Sequence, residues 1–323
     1  MTEVIVLGGY GRVGSLCVRE LLETTSARVV VAGRNAQRAE SVALGFGERA
    51  SGAYIDVRDP RTFVDQLESA ALVVCCSGGE PIAALDAALK TRTPFLCLSS
   101  FWLDPSATRK IAERAWQAQA PVVLNAGAVP GLPGVLAEQL VRQFESLDEI
   151  RLASSGPWAE TASARSDLET LRAVFKPELD HGSRRGRSPW EFAQPIGRRF
   201  VRLSQSLDLE GFREAHVVRY LTYLEIDDRL LARGADRLLQ RQQTRAFSLS
   251  AEAFRGPDDT EPAASIAIGA ADAAAPAAVA AGVLARAILA DRVPAGLQTP
   301  RDAMNPGLQL DALAKRGVRV TRS

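Results

Sequence analysis

Residues 4–14 read Val4-Ile5-Val6-Leu7-Gly8-Gly9-Tyr10-Gly11-Arg12-Val13-Gly14, and Ser15-Leu16-Cys17-Val18-Arg19-Glu20-Leu21-Leu22 follows. An apolar β-like run enters a glycine loop that opens directly onto a helical pattern. This is the G-x-G-x-x-G dinucleotide fingerprint in its required context, with a strand before it and a helix after it. Its parts have separate tasks. Gly9 is expected to permit the tight turn, Gly11 to let the backbone approach a pyrophosphate, and Gly14 to let the helix pack close to the strand. The helix N-terminus adds outward N–H groups and the positive end of its dipole. Tyr10, Arg12 and Val13 complete the loop and belong with these glycines to the expected cofactor site. A glycine string alone also fits an ordinary β–α turn; the flanking elements favour the nucleotide.

The next apolar run, Val29-Val30-Val31-Ala32, ends in Gly33-Arg34-Asn35. An NAD site usually has Asp or Glu at the end of this strand, holding the ribose 2′-OH. That acid is missing. Arg34 stands there instead, twenty positions after Gly14, with Arg38 one helical turn further on. A carboxylate repels a 2′-phosphate, whereas a guanidinium binds one with charge-assisted hydrogen bonds. The expected cofactor is therefore NADP(H), with Arg34, Asn35 and Arg38 at its adenosine end. A solvated loop arginine is the plainer alternative.

Length suits two domains: 323 residues, with 46% apolar and 24% charged, as in globular chains. The formal net charge of +1 advertises neither nucleic acid nor a membrane surface. The fingerprint begins so early that no signal or transit peptide is expected, and the Ala-rich stretch near 270–290 is broken by Asp272, Pro276 and Arg286. A cytoplasmic location follows as the expectation. Cys17, Cys75, Cys76 and Cys97 make no C-x-x-C pair, and His occurs only at 181 and 216, so no metal site is expected. Buried, reduced thiols are the reading for all four cysteines.

The first 130 residues alternate strand and helix. Short apolar runs at 53–57, 72–76, 94–98 and 121–125 join the two strands above, predicting a six-stranded, doubly wound parallel sheet. Ligands bind at the carboxyl ends of such strands. That rule nominates Asp56 near the adenine and Ser77, Gly78 and Gly79 along the dinucleotide. It places Ser99, Ser100 and Asn125 beside the nicotinamide. Beyond residue 147, alternating runs near 149–154, 199–209 and 244–249 predict a mixed or antiparallel sheet in a second α+β domain, covered by helices near 162–175 and 226–241. The arginine-rich piece 181–189 reads as a loop. A helix over 272–290 and a short one near 309–316 follow. The expected domains are 1–130, completed by 270–323, for the nucleotide, and 131–269 for substrate and dimer contacts.

Four segments together resemble the saccharopine dehydrogenase-like family, which includes enzymes of the saccharopine reductase and lysine 6-dehydrogenase types. They are Gly8 to Gly14, Ala32-Gly33-Arg34-Asn35, Asn125-Ala126-Gly127-Ala128-Val129-Pro130-Gly131-Leu132, and the C-terminal helix with its tail. The resemblance covers both ends well and residues 150–265 weakly. It implies that the C-terminal helix returns to the nucleotide domain. It also implies hydride exchange with a carbon–nitrogen bond of a small amino-acid-like metabolite, by imine reduction or amine oxidation. The expected assembly is a homodimer. Two positions depart from the lysine 6-dehydrogenase-like pattern, which carries acids in the fifth strand and after the sixth. This chain has Cys97 and Asn125 there, which counts against lysine itself as substrate and leaves the proton donor unnamed. Reduction of an activated carbon–carbon double bond, or a non-catalytic NADP-binding sensor, are the competing readings.

The catalytic candidates are Asn125, as an orienting amide, and Ser99 or Ser100, as a hydroxyl relay or a helix cap. His181 is the acid–base by residue type, but Asp180-His181-Gly182-Ser183 reads as an exposed turn. His216 alternates with apolar residues. Arg184, Arg185, Arg187, Arg198 and Arg199 form either a carboxylate clamp or a solvated face. Trp158, Trp190 and Phe192 read first as core, and Glu80 as either a nicotinamide contact or a cap. The cofactor assignment is checked by dissociation constants. Arg34→Ala should weaken NADPH binding by about 1.5–3 kcal/mol and leave NADH nearly unchanged.

Overall fold

The computed structural model describes residues 2–78, 81–99, 104–156, 188–204, 217–225 and 246–323. The first half contains β1 (Glu3–Leu7), α1 (Arg12–Thr24), β2 (Arg28–Gly33), α2 (Ala36–Leu44), β3 (Ala50–Tyr54), α3 (Val64–Leu67), β4 (Leu72–Cys75), α4 (Ile82–Lys90), β5 (Phe95–Cys97), α5 (Pro105–Ala118) and β6 (Pro121–Val123). Then come α6 (Leu132–Val141), β7 (Leu147–Ser155), β8 (Ser188–Phe192), β9 (Gly197–Ser204), β10 (Val217–Glu225), β11 (Phe247–Phe254) and β12 (Ala264–Ala270). The chain closes with α7 (Ala274–Leu289), β13 (Gly296–Gln298), α8 (Pro300–Ala303), α9 (Pro306–Lys315) and β14 (Arg319–Arg322).

The first sheet is parallel throughout, in the order β13-β6-β5-β4-β1-β2-β3. Its central strands are apolar on both faces because helices cover both. Val4 and Val6 of β1 enter one buried cluster with α1 and α2, while Ile5 and Leu7 enter another with α4 and α5. It has seven strands, not six. Gly296-Leu297-Gln298 is too short to carry a strand pattern and is a strand only because β6 would otherwise be an open edge. The third strand also differs, running over Ala50–Tyr54 rather than 53–57. Its pairing with β2, from Val29↔Ala50 to Gly33↔Tyr54, overrides the weak apolar signal of Ala50-Ser51-Gly52.

The second sheet is mixed, ordered β14-β12-β11-β7-β10-β9-β8, with β7 and β10 parallel and the other pairs antiparallel. One face of its centre is apolar. Ile150, Leu152, Phe247, Leu249, Ala251, Ile266 and Ile268 pack in the same cluster as α6 and α7. The other face is polar at its middle, where Arg151 pairs with buried Glu149 and lies 4.0 Å over the Phe254 ring. Trp190 and Phe192 are core residues, as expected: the Trp190 indole N–H donates to Ser250 Oγ at 2.8 Å, and both rings pack with Ile196 and Val201. Ser188 and Pro189 belong to β8 rather than to the arginine-rich loop.

The C-terminal helix does return to the nucleotide domain, since α7 packs along α1. The tail then divides. β13 joins the first sheet, but β14 pairs antiparallel with β12 of the second, so 270–323 does not complete the nucleotide domain alone. The tail reaches both because α9, between these strands, is tied to each side. Arg316 binds Glu20 of α1 at 2.8 Å and Arg322 binds Asp311 at 2.8 Å. A Cβ at Gly282 would overlap the buried Glu20 side chain, so a side chain at 282 would force α7 off α1. Among the described residues no helix is long and apolar enough to cross a membrane, and no His/Cys/Asp/Glu group could hold a metal ion.

At the other end of this contact, Asp272 ties the two helix N-termini together. Its Oδ1 accepts from the N–H groups of Ala274 and Ala275 at 2.8 and 3.1 Å, while Oδ2 accepts from Arg12 Nη2 at 2.6 Å. Burial pushes this carboxyl upward, but the Arg12 bond and the two backbone donors outweigh it and hold its pKa below the usual 3.8. A depressed folded pKa stabilises the fold above the unfolded value and ceases to do so as pH falls through the folded one. Asp272→Asn keeps the cap acceptor and loses the charge. Urea unfolding should show it less stable than wild type at neutral pH by about 1 kcal/mol or less, because the pair is partly solvated. That difference should shrink as pH falls below about 4.

Candidate functional site

The carboxyl edge of the first sheet gathers the residues nominated from sequence. Across the sheet stand Asn125 beyond β6, Ser99 beyond β5, Ser77 and Gly78 beyond β4, the glycine loop beyond β1, Arg34 beyond β2 and Asp56 beyond β3. These segments are distant in sequence and adjacent only through the parallel strand order.

The glycine loop is built by backbone bonds. Gly8 N–H donates to Ala32 O at 2.8 Å and Gly11 N–H to Gly8 O at 2.9 Å. Gly9 lies inside the turn closed by the Gly11–Gly8 bond, while the positive φ falls on Gly8, at +75° in the left-handed region that favours glycine. Gly9 has another reason to be glycine, since a Cβ there would lie 2.8 Å from Val6 O and 3.1 Å from Val31 Cγ1. A Cβ at Gly14 would overlap Gly8 O and lie 2.8 Å from Gly9 Cα, so α1 can approach β1 only if Gly14 lacks a side chain. Gly11 is the exception. A Cβ there would meet Gly8 O at 3.1 Å and nothing else within 4 Å. Its open side adjoins the start of α1, whose first helical bond runs from Ser15 N–H to Gly11 O. The preceding N–H groups point out of the helix end. This cradle fits a pyrophosphate.

β2 ends at Gly33, so the strand-end position is glycine and Arg34 is the next residue, exposed at the turn. Asn35 caps α2, its Oδ1 accepting from Arg38 N–H at 2.8 Å. Arg38 is exposed, with its guanidinium 4.9 Å from the Tyr10 ring centroid. Asp56 lies two residues past β3, with Oδ1 accepting from Arg58 N–H at 3.0 Å. Arg12 is held by Asp272 as above. The sequence marks Asp272, just ahead of an alanine-rich run, as a helix-start signal but not as the partner of Arg12.

Ser99 is buried and donates from Oγ to Ser77 O at 2.6 Å, bracing the loops after β4 and β5 against each other. Asn125 is half-buried in the left-handed region at φ 58°, which asparagine tolerates better than most residues. The loop that follows lies flat on the sheet end. A Cβ at Gly127 would lie 2.5 Å from Leu98 O, and one at Gly131 would lie 2.7 Å from Asn125 O. Cys97 is fully buried in the apolar cluster with Cys75 and Val122, so the fifth-strand position is core here. Cys17 and Cys76 lie 3.7 Å apart; that contact and burial push the Cys76 thiol up, as expected for inert thiols. Gly79, Glu80, Ser100, Trp158, His181, Arg184, Arg185, Arg187, His216 and the helices expected near 162–175 and 226–241 lie outside the described residues.

Residues 4–123 match the family described as saccharopine dehydrogenase NADP binding domain. The nucleotide domain belongs to that family. Its cofactor is NADP(H), in keeping with the missing acid at the end of β2. No curated protein matches the sequence. Among solved structures, saccharopine dehydrogenase (L-Glu forming) from Saccharomyces cerevisiae is similar over 100% of both chains, at 12% identity and a TM-score of 0.69. The WlbA (WbpB) dehydrogenase from Thermus thermophilus, solved with NAD and UDP-GlcNAcA, is similar over 98% of this chain and 95% of its own, at 15% identity and a TM-score of 0.52. At these identities the likeness is one of fold: a saccharopine dehydrogenase NADP-binding domain followed by a large sheet.

Gly11→Val tests the cradle. The backbone at 11, φ −77° and ψ 172°, accepts valine. The variant should fold, with a melting temperature within a few degrees of wild type by circular dichroism. Its NADPH affinity should fall at least roughly 100-fold by fluorescence titration, because the side chain occupies the pyrophosphate path.

Proposed function

We propose that this protein is an NADPH-dependent oxidoreductase acting on the carbon–nitrogen bond of a small amino-acid-like metabolite, with imine reduction as the favoured direction. The observation that carries the reading is the line of groups along one sheet edge. Arg34 and Arg38 stand at one end, the open Gly11 cradle in the middle, and Ser99 and Asn125 at the other. That sequence of groups follows a dinucleotide from 2′-phosphate to nicotinamide. The family of the nucleotide domain and the yeast enzyme's fold support carbon–nitrogen chemistry over other hydride transfers.

NADP(H), when bound, supplies or accepts the hydride. The chain's own residues bind and orient. The first turn of α1 faces the pyrophosphate, and the arginines after β2 face the 2′-phosphate. Ser77, Gly78, Ser99 and Asn125, described just beyond β4, β5 and β6, include no acid or histidine, and the exposed Asp104 further on is used as the N-cap of α5. The Asn125 amide can donate and accept hydrogen bonds but cannot exchange a proton at neutral pH. Ser99 directs its hydroxyl proton at a backbone carbonyl. A protonated iminium brings its own proton and needs only orientation, which is why imine reduction suits this edge.

NADPH oxidation, followed by loss of its absorbance, should be driven by cyclic imines or keto acid–amine pairs and not by enoyl compounds. Turnover with enoyl compounds alone would move the chemistry to carbon–carbon bonds, and tight NADPH binding without any turnover would make the protein a sensor. Asn125→Gly keeps the left-handed backbone and removes the amide. It should lower turnover about tenfold, roughly 1.4 kcal/mol of transition-state stabilisation, with NADPH affinity little changed.

A further inference from the structure

Tyr10 stands between Gly9 and Gly11 in the glycine loop, and its ring contacts both groups that distinguish the two ribose forms. It lies across the Cα of Gly33, the last residue of β2. A Cβ at 33 would overlap Tyr10 Cε1 and lie 2.8 and 2.9 Å from Cζ and Oη. The Arg38 guanidinium lies over the same ring, 4.9 Å from its centroid. Asn35 fixes the backbone of Arg38 in the first turn of α2.

We propose that Tyr10 determines cofactor specificity: its ring fills the space that a ribose-binding carboxylate at position 33 would need, and it holds Arg38 towards the 2′-phosphate. This rests on the NADP(H) reading of the site. An acid at the strand end is opposed by volume, because the outer end of the Tyr10 ring would have to swing away to admit it. It is also disfavoured by charge, because the face of an aromatic ring is negative and attracts a guanidinium but not a carboxylate. The same ring narrows the choices of a long, exposed arginine. Arg38 has fewer rotamers to lose when a phosphate arrives. The absent acid and the present arginine are thus two consequences of one side chain.

The experiment measures dissociation constants for NADPH and NADH with wild type, Tyr10→Phe, Tyr10→Ala, Gly33→Asp and the Tyr10→Ala/Gly33→Asp pair. Thermal melts confirm that each variant folds. Tyr10→Phe retains the ring and should keep the wild-type NADPH preference. Tyr10→Ala should reduce that preference about three- to tenfold through weaker NADPH binding. Gly33→Asp should lose NADPH without gaining NADH. Adding Tyr10→Ala to it should improve NADH binding at least roughly tenfold, by giving the carboxylate room to reach the ribose. An unchanged preference in Tyr10→Ala overturns the inference, as does a Gly33→Asp variant that gains NADH as fully as the pair. If Gly33→Asp does not fold, the contrast between Tyr10→Phe and Tyr10→Ala decides. A wild type that prefers NADH refutes the cofactor reading, whereas NADPH preference that survives Tyr10→Ala refutes only the part given to Tyr10.

Discussion

Close approach of α1 to the end of β1 is the constraint on which the nucleotide end depends. A single methyl group at Gly14 would overlap the Gly8 carbonyl and push the helix away. With the helix seated, its N-terminus opens at Gly11, Arg12 faces Asp272, and Tyr10 reaches across to Gly33. The loop has no rigid side-chain scaffold of its own. Its shape comes from backbone bonds of Gly8 to Ala32, Gly9 to Val6 and Ala32, and Gly11 to Gly8, and from the absence of Cβ atoms where the backbone crowds.

A similar exclusion of side chains joins the two halves of the molecule. α7 reaches α1 because Gly282 leaves room for Glu20, and its many alanines allow a shallow contact. α6 leaves the flat 125–131 loop and is buried along nearly its whole length. The cluster that holds β1, α1 and α2 therefore runs without a break through α6 and α7 to β7, β11 and β12. Two sheets share one core, so the domains meet through packed helices rather than through a solvated linker. The tail reinforces this by giving β13 to one sheet and β14 to the other.

The described side chains of Ser77, Ser99 and Asn125 at the carboxyl edge are hydroxyls and an amide rather than acids. Cys97 is core, Ser99 is a brace, and Asn125 is held in a backbone conformation that its residue type tolerates. In the proposed imine reduction the side chains of this edge orient a substrate that arrives with its own proton.

The local chemistry of the chain was legible in the amino-acid sequence wherever short-range rules govern it. Gly9-x-Gly11-x-x-Gly14 between a β-run and a helical run specified the fold class and nominated the loop for a phosphate, because strand, loop and helix there are contiguous. Gly33-Arg34-Asn35 specified the cofactor type through a missing acid. The parallel-sheet rule then nominated the carboxyl edge and, with it, Ser99 and Asn125. Tertiary contacts decided the rest. No sequence rule marks Gly296-Leu297-Gln298 as a strand, since its only reason to be one is the free edge of β6. Nor does any mark Arg12 as the partner of Asp272, 260 positions away. The positive φ falls on Gly8 because the loop must clear the backbone of Cys76 and Ser77, which arrives from β4. Ser99 is a brace because Ser77 O lies within reach of its hydroxyl. Pattern and propensity act over a few residues, whereas edges, close approaches and hydrogen-bond partners exist only after distant segments have packed.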